Sequence, residues 1–222
     1  SSDLKVEGLT MKSLRKLALT SVGRAAVAIA LPAAAQEEVI LRLLPHHTDA
    51  MVENYNPNNP TGPQQRGRDF TYEPLWIENL WHPDHDFPAL AISYEASEDL
   101  KSITWKLREG VKWSDGEDFN ADDVIFSFEY AKAHPDYPMG LDVYNGETGN
   151  VVSVEKVDDY TVKFNLNEAD GLARYGLGGL YPLPEHIWSA VDDPKNFANL
   201  NPVATGPWTE VRNFSRNGYE IC

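Results

Sequence analysis

Apolar positions along this chain follow two different periods. Ile103, Trp105 and Leu107 alternate with polar neighbours, and so do Val162, Phe164 and Leu166. A period of two marks a strand with one buried face. These runs predict strands over residues 103–108 and 161–166, the second forming a hairpin with residues 151–157 around Asp158-Asp159. Residues 89–93 read as a strand before the first, with Glu98-Asp99 in the connecting turn. Residues 38–44 are more continuously apolar and suit a buried first strand. Near the other end, residues 206–211 read as a turn entering a strand and residues 218–222 as a further strand.

Helical signals lie between these runs. Asn120 and Asp122 are capping residues placed just before Val124, Ile125, Phe126 and Phe128. Asp122 and Asp123 complement the positive end of a helix dipole there. His134-Pro135 ends that helix, because the residue before proline avoids the helical region. Leu75, Ile77 and Leu80 predict a helix from about Pro74 to Trp81, and residues 185–188 a short one. Residues 54–63 hold four asparagines and three prolines, which predicts a long, irregular polar loop.

The first 35 residues stand apart. Lys12, Arg15 and Lys16 precede an apolar stretch, and Ala33-Ala34-Ala35 fits a small-residue cleavage site. The stretch is shorter than the roughly 20 residues a spanning helix needs. The expectation is a signal peptide over residues 11–35, cleaved near Ala35, with residues 1–10 an upstream remnant and the mature protein periplasmic. Cleavage would remove five basic residues (Lys5, Lys12, Arg15, Lys16, Arg24) and two acidic ones (Asp3, Glu7). The formal charge then moves from −15 to −18. Such a surface repels nucleic acid and anionic lipid, so no nucleic-acid partner is expected. A single cysteine, Cys222, excludes an internal disulfide. The chain stops inside a strand-like run, which reads as a truncated piece of something longer.

Candidate chemistry is sparse. His82, His85 and Asp86 form the densest group of metal-ligating types, but they sit in a polar break and are expected to be a solvated turn. No metal or other cofactor is expected. Glu73 and Glu78, flanked by Trp76 and Trp81, leave a secreted carbohydrate-active hydrolase as the alternative function. A serine nucleophile elbow, a glycine-rich phosphate loop and a Cys-His pair are absent from the sequence.

Several local patterns occur in one order. Tyr72-Glu73-Pro74-Leu75 precedes Pro88-Ala89-Leu90-Ala91. The segment 107–116, containing Gly110, Trp113 and Ser114-Asp115-Gly116, precedes Phe119-Asn120-Ala121-Asp122-Asp123-Val124. Tyr160 to Phe164, Leu183-Pro184-Glu185-His186 and Thr205-Gly206-Pro207 follow. This ordered set resembles the extracytoplasmic solute-binding protein family 5 of ABC importers, receptors for oligopeptides, dipeptides, nickel and oligosaccharides. The resemblance covers residues 38–222.

The resemblance implies a mixed α/β, periplasmic-binding-protein-like fold of two lobes closing on ligand. Residues 36–70 and 202–222 would belong to the first lobe, residues 71–201 to an inserted subdomain, and the second lobe would lie beyond Cys222. It implies no enzymatic activity, a monomer, a small-molecule ligand and an ABC permease as membrane partner. Peptide is the default ligand, and Asn56-Pro57-Asn58-Asn59-Pro60 with the many tryptophans also resembles the oligosaccharide-binding branch. Ligand contacts are expected from Asn54, Asn56, Asn58 and Asn59, whose amides donate and accept, and from Tyr72, Trp76, Trp81 and Trp208 by stacking. Trp105 and Trp113 are expected to be structural.

Overall fold

Paired alternation builds the largest sheet. The computed structural model describes residues 40–43, 53–58, 68–79, 81–82, 85–137, 139–141, 144–145, 149–215 and 218–221. The chain divides into one unit over Ser1–Glu37 and another over Glu38–Cys222. The expected leader and Asn59 lie outside the described residues. In the second unit, β5 (Ser102–Leu107) pairs antiparallel with β7 (Thr161–Leu166), placing Ile103 opposite Phe164 and Trp105 opposite Val162. All four side chains are buried. A shift of one residue in either strand would turn that strand's two core residues to water, so the register is fixed by the pattern itself. β4 (Ala91–Ala96) and β6 (Val151–Asp158) flank the pair, giving the order β4-β5-β7-β6.

One helix, α2 (Ala121–Ala133), packs against β6 and β7. Val124 and Phe128 are buried, and the Phe128 ring meets Phe164 edge-on at 5.5 Å. Complete burial of a side chain such as Phe128 or Leu107 contributes about 2 kcal/mol. The helix starts where the sequence predicts. The Asn120 amide oxygen accepts from the Asp122 N–H at 2.7 Å, and the Asp123 carboxylate accepts from the Asn120 N–H at 3.1 Å. At the far end the His134 N–H closes on the Tyr130 carbonyl at 3.1 Å, and Pro135 stops the helix.

The expected helix over residues 74–81 is not there. A four-residue helix, α1 (Arg68–Thr71), precedes this stretch, and β2 (Trp76–Ile77) pairs antiparallel with β3 (Phe87–Pro88). The backbone here is held from outside. The Leu75 N–H donates to the Leu180 carbonyl at 3.0 Å, and the Pro74 and Leu75 carbonyls accept from Leu90 and Ala91 at 3.1 and 2.8 Å. These bonds hold the chain extended. The polar break after it is the loop joining β2 to β3.

Two short helices follow the hairpin of β6 and β7: α3 (Ala173–Gly178), which the sequence did not predict, and α4 (Glu185–Trp188), which it did. The last sheet joins the two ends of the described chain. β1 (Leu41–Leu43), β9 (Gly218–Ile221) and β8 (Val211–Ser215) run in the order β1-β9-β8, with Leu41 opposite Ile221.

Candidate functional site

The asparagine-rich segment is a chain of side-chain-to-backbone turns. The Asn54 side-chain oxygen accepts from the Asn56 N–H at 2.9 Å, and the Asn56 oxygen accepts from the Asn58 N–H at 3.1 Å. Asparagine forms such turns by offering its own side chain in place of a backbone acceptor. The Asn56 amide nitrogen donates to the Pro194 carbonyl at 2.7 Å and to the Phe197 carbonyl at 3.0 Å. Its oxygen also accepts from the Tyr137 hydroxyl. All four hydrogen-bonding positions of that carboxamide are therefore used inside the protein, and Asn56 is only 7% exposed.

Neighbouring groups hold the same segment. The Tyr55 N–H donates to the Ala198 carbonyl at 2.8 Å, and its ring meets Phe214 of β8 edge-on at 6.3 Å. Tyr72 is 3% exposed. Its hydroxyl donates to the Tyr55 carbonyl and accepts from the Asn199 amide, each at 2.8 Å. Burial pushes the Tyr137 hydroxyl far above the usual phenol range, so it stays a neutral donor to Asn56. Its ring stacks on Trp188 with centroids 6.0 Å apart, and Trp188 in turn meets Phe197 at 5.2 Å.

A second contact runs beside this one. The Gly206 N–H donates to the Thr71 carbonyl at 2.9 Å and the Trp208 N–H to the Phe70 carbonyl at 3.3 Å. The Trp208 ring meets Phe70 edge-on at 5.6 Å. The segment around Tyr72 thus touches the asparagine loop on one side and Trp208 on the other. A β-carbon on Gly206 would fall 2.5 Å from the Thr71 carbonyl oxygen, so this approach requires glycine.

The comparisons with known proteins bear on the whole of this arrangement. The family model described as bacterial extracellular solute-binding proteins, family 5 Middle, matches residues 87–218, more than half of the chain. The chain belongs to this family. It is 35% identical to the di/tripeptide-binding protein 1 of Pseudomonas aeruginosa over 144 residues, which is 56% of this chain and 26% of that protein. It is 31% identical to the dipeptide-binding protein of Escherichia coli over 217 residues, 88% of this chain and 39% of that protein. The periplasmic oligopeptide-binding protein of Thermotoga maritima, solved with mannohexaose bound, superposes with a TM-score of 0.65 at 29% identity. That match covers 75% of this chain and 30% of the solved one. The chain spans about a quarter of the first of these relatives and about two fifths of the second.

In this family 5 chain the structure divides the residues singled out by sequence. Asn54, Asn56, Asn58 and Tyr72 come together around Tyr55, with Trp208 beside them through Phe70. Trp76 is elsewhere: its ring packs at 5.4 Å against Tyr94 and 5.9 Å against the buried Trp105. A β-carbon on Gly178 would fall 3.0 Å from the Trp105 indole and 3.0 Å from the Trp76 β-carbon, so the packing is tight. Trp81 is 90% exposed on the loop between β2 and β3, and nearby Ile77 and Phe87, paired across the hairpin, are exposed as well. Trp105 and Trp113 are buried, in keeping with structural roles.

The remaining titratable groups serve separate neighbourhoods. Burial raises the Glu73 carboxyl above its usual range, opposed by the Thr205 hydroxyl and by Arg108. Burial also raises Glu78, with Asp86 adding to the shift. Asp86 is held low, chiefly by the Asn79 N–H at 3.1 Å, and pairs with Arg174 at 2.7 Å. Arg174 also lies over the Tyr175 ring at 3.9 Å. Among the described residues no group of three His, Cys, Asp or Glu side chains is arranged to hold a metal. Sequence reasoning missed Tyr137 and Asn199. Asn199 carries a φ of 47°, a left-handed conformation that asparagine tolerates better than most residues, and only its turn-forming context could have flagged it.

Proposed function

We propose that the intact protein is the periplasmic substrate-binding protein of an ABC importer, taking up short peptides. The observation that carries this reading is the 31% identity to a dipeptide-binding protein across 88% of the chain. The protein holds its ligand non-covalently, performs no chemistry on it, acts as a monomer and delivers it to a membrane permease. Residues 36–70 and 202–222 form one wall of the ligand cleft and residues 71–201 an inserted subdomain. The 54–58 loop, with Trp208 beside it, faces the ligand. A carboxamide both donates and accepts, which matches the alternating groups of a peptide main chain.

A second reading, an oligosaccharide as ligand, is favoured by the similarity to the mannohexaose-bound protein. Titration calorimetry of the intact protein against a dipeptide such as Met-Leu, a tetrapeptide panel and mannohexaose separates the two. Saturable binding of peptides alone supports the first reading. Binding of the sugar alone replaces it with the second, and failure of every peptide and sugar overturns both. Mass analysis of the exported protein tests cleavage near Ala35.

A further inference from the structure

We propose that Asn56 and Asn199 are positioning residues for the ligand: without touching it, they set where the 54–58 loop stands. This rests on the reading of that loop as part of the ligand site. The loop has little apolar surface with which to fix itself, since Tyr55 is its one large hydrophobic side chain. Its geometry comes from amides. Asn56 grips two carbonyls 138 and 141 positions away, at Pro194 and Phe197. Asn199 holds the same segment, reaching the Tyr72 hydroxyl at 2.8 Å and the Tyr55 carbonyl at 3.5 Å.

The segment that Asn56 grips is itself packed against aromatic rings. Phe197 is wedged against the fully buried Trp188, which also stacks on Tyr137. Asn56 therefore transmits the position of a packed aromatic layer to the polar loop, and Asn199 ties that loop to Tyr72. This arrangement divides the asparagines by task. Asn56 and Asn199 are buried, with Asn56 saturated, whereas Asn54 and Asn58 are partly exposed. The Asn58 amide nitrogen is itself buried.

The test uses the intact protein with Met-Leu and mannohexaose as probes. The variants are Asn56→Ala, which removes the grip, and Asn199→Gly, which keeps a left-handed backbone accessible and removes only the carboxamide. Val162→Ala, in the four-stranded sheet, is the control for stability alone. Affinity is read by calorimetry at a temperature where each variant is folded by circular dichroism. Asn56→Ala and Asn199→Gly are expected to weaken binding of the probe that wild type takes by about tenfold or more, the worth of one well-made hydrogen bond. Val162→Ala is expected to lower the melting temperature and leave affinity unchanged. If both amide variants melt lower yet bind as wild type does, the residues only stabilise and the proposal is overturned. If Asn56→Ala fails to fold, Asn199→Gly decides by the same criterion. Wild type binding neither probe defeats the ligand reading itself, and that result appears before any variant is compared.

Discussion

The indole N–H of Trp113 donates to the buried carboxylate of Asp123 at 3.3 Å. The same carboxylate accepts from the Asn120 N–H and from the Glu185 N–H, each at 3.1 Å. One side chain thus closes the start of α2, holds the turn before it and fixes the first residue of α4. Asp123→Ala leaves three donors without an acceptor and is expected to cost about 3 kcal/mol or more, whereas Trp113→Phe leaves the carboxylate two of its three donors and costs about 1 kcal/mol. Chemical denaturation of the two variants checks the order, and equal losses would contradict it.

Two carboxylates are expected to respond to acid in opposite senses. Burial raises the folded-state pKa of Asp123 above its unfolded value, so the folded protein binds that proton more tightly. Its contribution to stability therefore grows as pH falls through the folded pKa and levels off below the unfolded one. Asp86 is held low, first by the Asn79 N–H, so its contribution is present above the unfolded pKa and is lost as pH falls through the folded pKa. Stability measured from pH 7 down to pH 3 should show a smaller loss toward acid in Asp86→Asn than in wild type, and a larger one in Asp123→Asn.

Gly206→Ala places a methyl group against backbone rather than against a movable side chain, with the Phe70 carbonyl oxygen 2.6 Å from the new atom. The two crossing segments must separate, at an expected cost of about 2 kcal/mol or more. The melting temperature should fall, and an unchanged value would mean that the crossing opens freely.

Ser127 is wholly buried and bridges two elements, donating to the Asp123 carbonyl at 2.6 Å and accepting from the Leu183 N–H at 2.7 Å. Ser127→Ala strands the Leu183 donor and should cost about 1–3 kcal/mol. Ser127→Thr keeps the hydroxyl, and any loss it shows measures crowding rather than the missing bond.

Trp81→Ala is expected to change stability by less than about 0.5 kcal/mol, because an indole 90% exposed packs on little. Calorimetry on the same variant decides whether that ring stacks on a ligand, since reduced affinity at unchanged stability is the outcome a contact residue gives.

Where a pattern was local, the sequence revealed the fold well. The alternation at Ile103, Trp105 and Leu107, and the cap at Asn120, need only neighbours within a few positions to take effect. The stretch around Trp76 misled because its backbone is captured by Leu90, Ala91 and Leu180, partners that no periodicity reveals. The site was legible as a composition and not as an arrangement. Four asparagines announced a polar loop, yet which of them turn inward depends on carbonyls at Pro194 and Phe197. Asn199 and Tyr137 lie in segments with no distinguishing pattern and became visible only through what they touch.

The pairing of Leu41 with Ile221 joins positions 180 apart. A ribosome delivers β1 before any other strand, while β9, its neighbour in the sheet, is delivered last among the elements described. β1 therefore waits unpaired through the synthesis of everything between, including a four-stranded sheet whose own contacts are far closer in sequence. Loop closure over so long a span slows folding much more than it weakens the folded state. Among the described elements, the central sheet and α2 are therefore expected to form before the sheet that pairs β1 with β9.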